Sequence, residues 1–187
     1  SEAVRLMSEG ELLQIEKSRN LNLSEAVYYE IINGKTASLL ASACAAGAST
    51  TFSDPADIES MRLFGEKVGM AFQIKDDLFD YSSKNIGKPT GNDIKEKKLT
   101  LPLIYILNNC SPSLKKQIIY IVKNQNTQKD KVAFVIEQVE ALGGIDYATK
   151  KMFSYRDEAL ELLYRFPTSP IRDALEELVR YTTDREY

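Results

Sequence analysis

Residues 64–80 read Phe64-Gly-Glu-Lys-Val-Gly-Met-Ala-Phe-Gln-Ile-Lys-Asp-Asp-Leu-Phe-Asp80. Apolar side chains recur here every three or four positions, the spacing of one face of an α-helix. The run extends upstream through Ile58 and Met61 to Asp54-Pro55. Proline at a first helical position behind an aspartate is a helix start. A helix is therefore predicted from 54 to about Tyr81. At its end Asp76 and Asp80 lie four apart on one face, Asp77 lies about 100° round, and Gln73 sits one turn before Asp76. Carboxylates so placed repel one another by a few tenths of a kcal/mol unless water or a cation lies between them. A solvated acidic patch and a divalent-cation site both fit that spacing. Gly65 and Gly69 inside the same helix cost about 1 kcal/mol each relative to alanine, which points to close contact with another helix.

Working outward, the pattern stays helical. Residues 2–18 mix apolar and charged positions. Ser24 reads as an N-cap for a run to about Ala48. That run ends in ASLLASACAAGA, residues 37–48, whose small side chains suit a close neighbouring helix or a cavity beside it. Downstream helices are predicted over 101–109, 113–124, 129–142, 144–166 and 169–182, with Gly143-Gly144 as a stop and restart. About eight helices and no alternating strand pattern give an all-α fold, an antiparallel helical bundle. No linker divides the chain, so residues 1–187 are expected to form a single α-helical unit. The conspicuous polar loop is SSKNIGKPTGNDIKEKKL, residues 82–99, and loops of this length are often functional.

Composition narrows the chemistry. The chain has 187 residues, 43% of them hydrophobic, and a net charge of -3. That is enough apolar material for a core, and no case for a nucleic-acid partner. There is no histidine, which removes imidazole acid–base catalysis, Ser-His-Asp triads and His-ligated zinc. The two cysteines, Cys44 and Cys110, have no metal or redox spacing. The opening residues carry no leader pattern and the longest apolar stretch is well short of the roughly 18 residues that span a bilayer. No integral membrane segment is therefore expected, and a reducing, cytoplasmic setting is.

Five lysines, Lys84, Lys88, Lys95, Lys97 and Lys98, follow the acids, and Lys35-Thr36 lies upstream. Each lysine alone reads as a solvated surface residue. Lysines and carboxylates together suit a metal–diphosphate unit, in which cations hold the anion from both sides.

The segment from Gly65 to Asp80, its continuation GKPTGNDIKEKKLTLP at 87–102, GELLQ at 10–14, and Tyr29 through Lys35-Thr36-Ala37 resemble the trans-isoprenyl diphosphate synthases of the polyprenyl and octaprenyl type, in their C-terminal part. The resemblance implies helices around a deep apolar cavity. It implies Mg2+-dependent head-to-tail condensation of isopentenyl diphosphate with an allylic diphosphate, and a homodimer. By motif position it implies that Asp76 ligates magnesium with support from Asp77 and Asp80. Lys35, Lys88 and Lys98 would grip diphosphate oxygens, and Lys35, Thr36 and Gln73 would serve catalysis, the last two facing the developing allylic cation. The first aspartate-rich motif of these enzymes and its paired arginines are absent here, as are on the order of one hundred residues of early helices. The chain is thus expected to be an incomplete bundle, inactive or nearly so by itself. A non-catalytic helical subunit that modulates a full-length synthase is the alternative. A terpene cyclase fragment fits the loop at 87–102 less well, and an unrelated helical scaffold is the remaining reading.

Overall fold

The computed structural model describes residues 2–21, 24–81 and 90–185. Among them there are helices and turns but no strand. In order these are α1 (Glu2–Asn20), α2 (Glu25–Ile32), a π-helical segment (Asn33–Ala37), α3 (Ser38–Ser49), α4 (Pro55–Phe79), α5 (Asn92–Lys95), α6 (Leu101–Asn109), α7 (Pro112–Asn124), α8 (Lys129–Ala141), α9 (Gly144–Leu163) and α10 (Pro170–Asp184).

The central helix is α4, which packs most extensively against α9 on one side and α3 on the other. Its start is the predicted one: the Asp54 carboxylate accepts from the Ala56 amide at 2.8 Å and Pro55 occupies the first turn. A cap of this kind satisfies an amide that has no intrahelical partner. The two glycines explain the contact with α3. A Cβ on Gly65 would lie 2.5 Å from the Leu40 carbonyl oxygen, and one on Gly69 would lie 2.5 Å from Ala37 Cα. The small-residue run at 37–48 therefore lets two backbones touch along this stretch. On the other face, Phe64 and Val68 close a cluster with Ala159, Leu160, Leu163 and Val179. The larger cluster joins Ile74 to α6, α7, α8 and α9 through Ile94, Leu103, Ile106, Ile118, Val135 and Met152.

Two elements differ from the predicted pattern. The run from Ser24 to about Ala48 is not one regular helix. At its middle the Ser38 amide donates to the Asn33 carbonyl, five residues back, and the Ser38 hydroxyl to the Gly34 carbonyl at 2.6 Å. This inserts one residue beyond regular α geometry, a feature often found at functional sites. The polar segment 82–99 is not loop throughout, because Asn92–Lys95 makes one helical turn that buries Ile94.

Candidate functional site

The π segment, the end of α4 and the turn after α5 converge on one cavity of about 120 Å³. From α1 come Gln14, Lys17 and Ser18; from α2, Tyr28; from the π segment, Lys35 and Thr36. From α4 come Gln73, Asp76 and Asp77, and beyond it Asp93, Lys98 and Thr100. Two glycines let α1 reach this position. A Cβ on Gly10 would meet the Lys35 amide nitrogen at 2.9 Å, and one on Gly34 the Leu6 carbonyl oxygen at 2.9 Å. The crossing sets Gln14 Oε1 2.8 Å from Lys35 Nζ, with Glu11 pairing the same ammonium at 2.6 Å.

The three acids on α4 have three different environments. Asp76 is exposed at the cavity rim, and its carboxylate makes no hydrogen bond or ion pair with the described residues. Asp77 is buried. Its Oδ2 accepts from the Tyr28 hydroxyl at 2.7 Å and its Oδ1 from Gln73 Nε2 at 3.0 Å. Burial pushes its pKa up to about 7, with the charges of Asp93 and Asp76 adding and the two hydrogen bonds opposing. Asp80 points elsewhere. Its oxygens accept from the backbone amides of Asn92 at 2.8 Å and Asp93 at 3.0 Å, and it is not among the cavity residues. It therefore ties the start of α5 to the end of α4.

That tie presents an acid to which the sequence analysis assigned no role. Asp93 lies in the cavity wall with its pKa raised to about 6, first by burial and then by the Asp80 charge. Lys98 stands beside it, 3.7 Å from Asp93 and 2.5 Å from Glu96. Burial alone would lower the Lys98 ammonium, but the neighbouring acids outweigh it and hold it above its ordinary value. Thr36 donates from its hydroxyl to Gln73 Oε1 at 2.7 Å.

Of the assigned residues, the cavity thus gathers Lys35, Thr36, Gln73, Asp76, Asp77 and Lys98 and leaves out Asp80; Lys88 and Lys84 lie outside the described residues. Tyr28, Lys17 and Asp93 are additional. The sequence signal for Asp93 was an acid shortly after Gly91 in a segment read as loop; the structure places it in the first turn of α5. Arg185 is not among the cavity residues. Its guanidinium lies over the rings of Phe72 at 4.8 Å and Phe79 at 5.2 Å, beside the acid-bearing helix.

The donor set can be tested against a hard divalent cation. Among the described residues no group of three or more Asp, Glu, Cys or His side chains is gathered tightly enough to hold a metal ion. Mg2+ does not need one. It keeps several waters, binds through one or two carboxylates and completes its shell with phosphate oxygens. A free carboxylate at Asp76, in one cavity with Asp77, Asp93 and the ammonium groups of Lys35 and Lys98, fits that requirement.

The site is thus a cavity within an all-helical bundle, lined by both carboxylates and lysines. Residues 1–139 match the polyprenyl synthetase family, and the chain belongs to it. The octaprenyl diphosphate synthase of Escherichia coli K12 is 30% identical over 188 residues, which is all of this chain and 58% of that protein. The crystal structure of a decaprenyl diphosphate synthase from Rhodobacter capsulatus superposes with a TM-score of 0.92 at 29% identity, over 100% of this chain and 58% of that one. A polyprenyl synthase from Caulobacter crescentus CB15, solved with calcium and isoprenyl diphosphate, gives 0.91 at 36% identity, over 100% and 57%. The chain spans little more than half the length of these relatives.

Proposed function

We propose that this chain is the part of a trans-polyprenyl diphosphate synthase that grips the diphosphate of the allylic substrate for head-to-tail condensation with isopentenyl diphosphate. The observation that carries this reading is the meeting, in one cavity, of an unpartnered carboxylate at Asp76 with the ammonium groups of Lys35 and Lys98. In this assignment Asp76 holds Mg2+, with Asp77 and Asp93 in the same cavity, and Asp80 keeps Asp93 in place through the two amides. The magnesium, when bound, neutralises charge on the departing diphosphate. Lys35, Lys98 and Lys88 bind diphosphate oxygens, which favours the charge-separated state over the intact ester. Thr36 and Gln73 line the cavity where the allylic cation develops. The chemistry needs no imidazole, in keeping with a chain that has none.

A homodimer is part of the same proposal, supported by the exposed apolar side chains of Val4, Leu12 and Ile15 on α1. Cytoplasmic residence is proposed on the two unpaired cysteines, Cys44 and Cys110. Among the described residues no helix is long and apolar enough to cross a membrane.

The test is calorimetric titration of the chain with a non-hydrolysable allylic diphosphate, with and without Mg2+, in the wild type and in Asp76→Ala. Metal-dependent binding weakened at least about tenfold by the substitution is expected. Binding indifferent to both metal and substitution would sink the assignment.

A further inference from the structure

Within the cavity wall, four side chains from three elements form a hydrogen-bonded line. The Tyr28 hydroxyl lies 2.7 Å from Asp77 Oδ2, Gln73 Nε2 lies 3.0 Å from Asp77 Oδ1, and the Thr36 hydroxyl lies 2.7 Å from Gln73 Oε1. Tyr28 is 3% exposed and Asp77 is 7% exposed. Water therefore has little access to the Tyr28 end of the line, while Thr36 is its more open end.

The atoms that face one another fix the direction of this line. An amide nitrogen donates and an amide oxygen accepts. Asp77 therefore receives a proton from Gln73 Nε2 at Oδ1 and from the Tyr28 hydroxyl at Oδ2. Gln73 then presents its amide nitrogen to Asp77 and its carbonyl oxygen to the opposite side. Thr36 must donate to that carbonyl, which commits its single hydroxyl proton. What Thr36 leaves for the cavity is an oxygen with lone pairs. Reverse the line, and the same residue aims a partly positive hydrogen at the cavity instead. Within the proposed function, electron-rich oxygen is what a developing cation requires there, and a hydroxyl proton opposes it.

We propose that Tyr28 is a positioning residue for the reaction. By donating to Asp77 Oδ2, its phenol holds the carboxylate against Gln73 Nε2, and so keeps the Gln73 amide and the Thr36 oxygen in the orientation that leaves lone pairs toward the allylic carbon. This rests on the reading of the cavity as an allylic diphosphate site. Tyr28 does not line up with the reacting atoms itself and acts through the three residues that follow it. Loss of its hydroxyl leaves one Asp77 oxygen short of a donor in a buried place, which is costly. Asp77 can then turn, Gln73 can invert its amide, and the Thr36 proton is released to face the cavity.

The experiment compares the wild type with Tyr28→Phe, which keeps the ring and removes only the hydroxyl. Two probes are titrated with Mg2+ present: a non-hydrolysable allylic diphosphate whose hydrocarbon part is uncharged (the uncharged probe), and an ammonium analogue of the allylic cation together with inorganic diphosphate. Tyr28→Phe is expected to weaken the ammonium analogue about tenfold and to leave the uncharged probe within about twofold. Equal loss of both probes, or of neither, would overturn the proposal, since a phenol that only packs has no reason to discriminate them. The Gln73 side-chain amide is followed in parallel by 15N nuclear magnetic resonance, and its two proton resonances are expected to shift in Tyr28→Phe. If the wild type binds neither probe, the reading of the cavity fails, and an unmoved Gln73 amide would still reject the line on its own. If Tyr28→Phe does not fold, 3-fluorotyrosine incorporated at Tyr28 replaces it. That residue keeps the hydroxyl and makes it a stronger donor, so the Gln73 amide must move while ammonium-analogue binding is retained or improved. Loss of that binding counts against the proposal.

Discussion

Asp77 holds its proton far more tightly than an exposed aspartate does, and the reason is local. Its carboxyl sits in the interior, two acidic neighbours face it, and only two neutral donors compensate. The direction of the resulting pH effect follows from linkage. A carboxyl whose pKa rises from 3.8 unfolded to about 7 folded binds more protons in the native state across that interval. Its favourable contribution is complete below pH 3.8 and is lost as the pH climbs through 7. The metal-free protein is therefore expected to lose stability between pH 5 and 8, by on the order of a few kcal/mol. Asp77→Asn removes the titration and should flatten that part of the profile. Chemical denaturation of both proteins across this range checks it, and parallel profiles would show that Asp77 ionises without cost. Asp93, raised to about 6 mainly by burial, contributes with the same sign in both proteins, so the Asp77→Asn profile is expected to be flatter but not level. A bound divalent cation acts the other way, because it needs the ionised carboxylates. With Mg2+ and diphosphate present, stability is expected to rise over the same interval.

At the scale of elements, the contact between α3 and α4 decides where Lys35 and Thr36 stand. Gly69→Ala gains about 1 kcal/mol in helix propensity, but its new methyl would overlap Ala37 backbone. Overpacking of this kind costs about 1–3 kcal/mol, and more where backbone must move. A net loss of about 1–2 kcal/mol is expected in urea unfolding. Gly47→Ala is the matched control. It lies in α3 with open space around its missing Cβ, so it should gain up to about 1 kcal/mol. If both substitutions shift stability alike, the close approach has no energetic weight.

Much of this arrangement was legible in the residues. The caps at Ser24 and Asp54, the restart at Gly143-Gly144 and the periodic apolar faces each state their element, because local chemistry dictates them. Gly65 and Gly69 announced a close neighbour, and the alanine-rich run at 37–48 is that neighbour. The π insertion was not legible, since Asn-Gly-Lys-Thr-Ala carries no local mark of an extra residue and tertiary packing produces it. The same limit applied to the acids. Spacing along a helix put Asp76 and Asp80 on one face, yet Asp80 turns to the amides that follow α4, and Asp93 takes a place in the cavity from a turn twelve residues further on. Which carboxylate meets which partner depends on how the chain returns, and periodicity does not encode that.

For the molecule as a whole, α1 is the least covered helix around the site. Leu12 is 67% exposed, Val4 59% and Ile15 46%, while its other face crosses the π segment. Apolar side chains bare to water favour association. The chain is therefore expected to sediment as an oligomer at micromolar concentration, and Leu12→Lys with Ile15→Lys is expected to weaken that association at least about tenfold. Unchanged sedimentation would place the contact on another face, such as that of Ile171, Leu178 and Tyr181 on α10.

The insertion at Asn33–Ala37 has a consequence for how this chain tolerates change in length. An α-helix turns by about 100° per residue. Deleting a single residue there would let α2 and α3 run on as one screw thread, and everything before the deletion would rotate by that angle relative to α4. Tyr28 would swing away from Asp77, and α1 would follow it. The cavity is thus indexed to the count of residues between positions 28 and 37, so that replacing side chains in this stretch is a smaller perturbation than removing one.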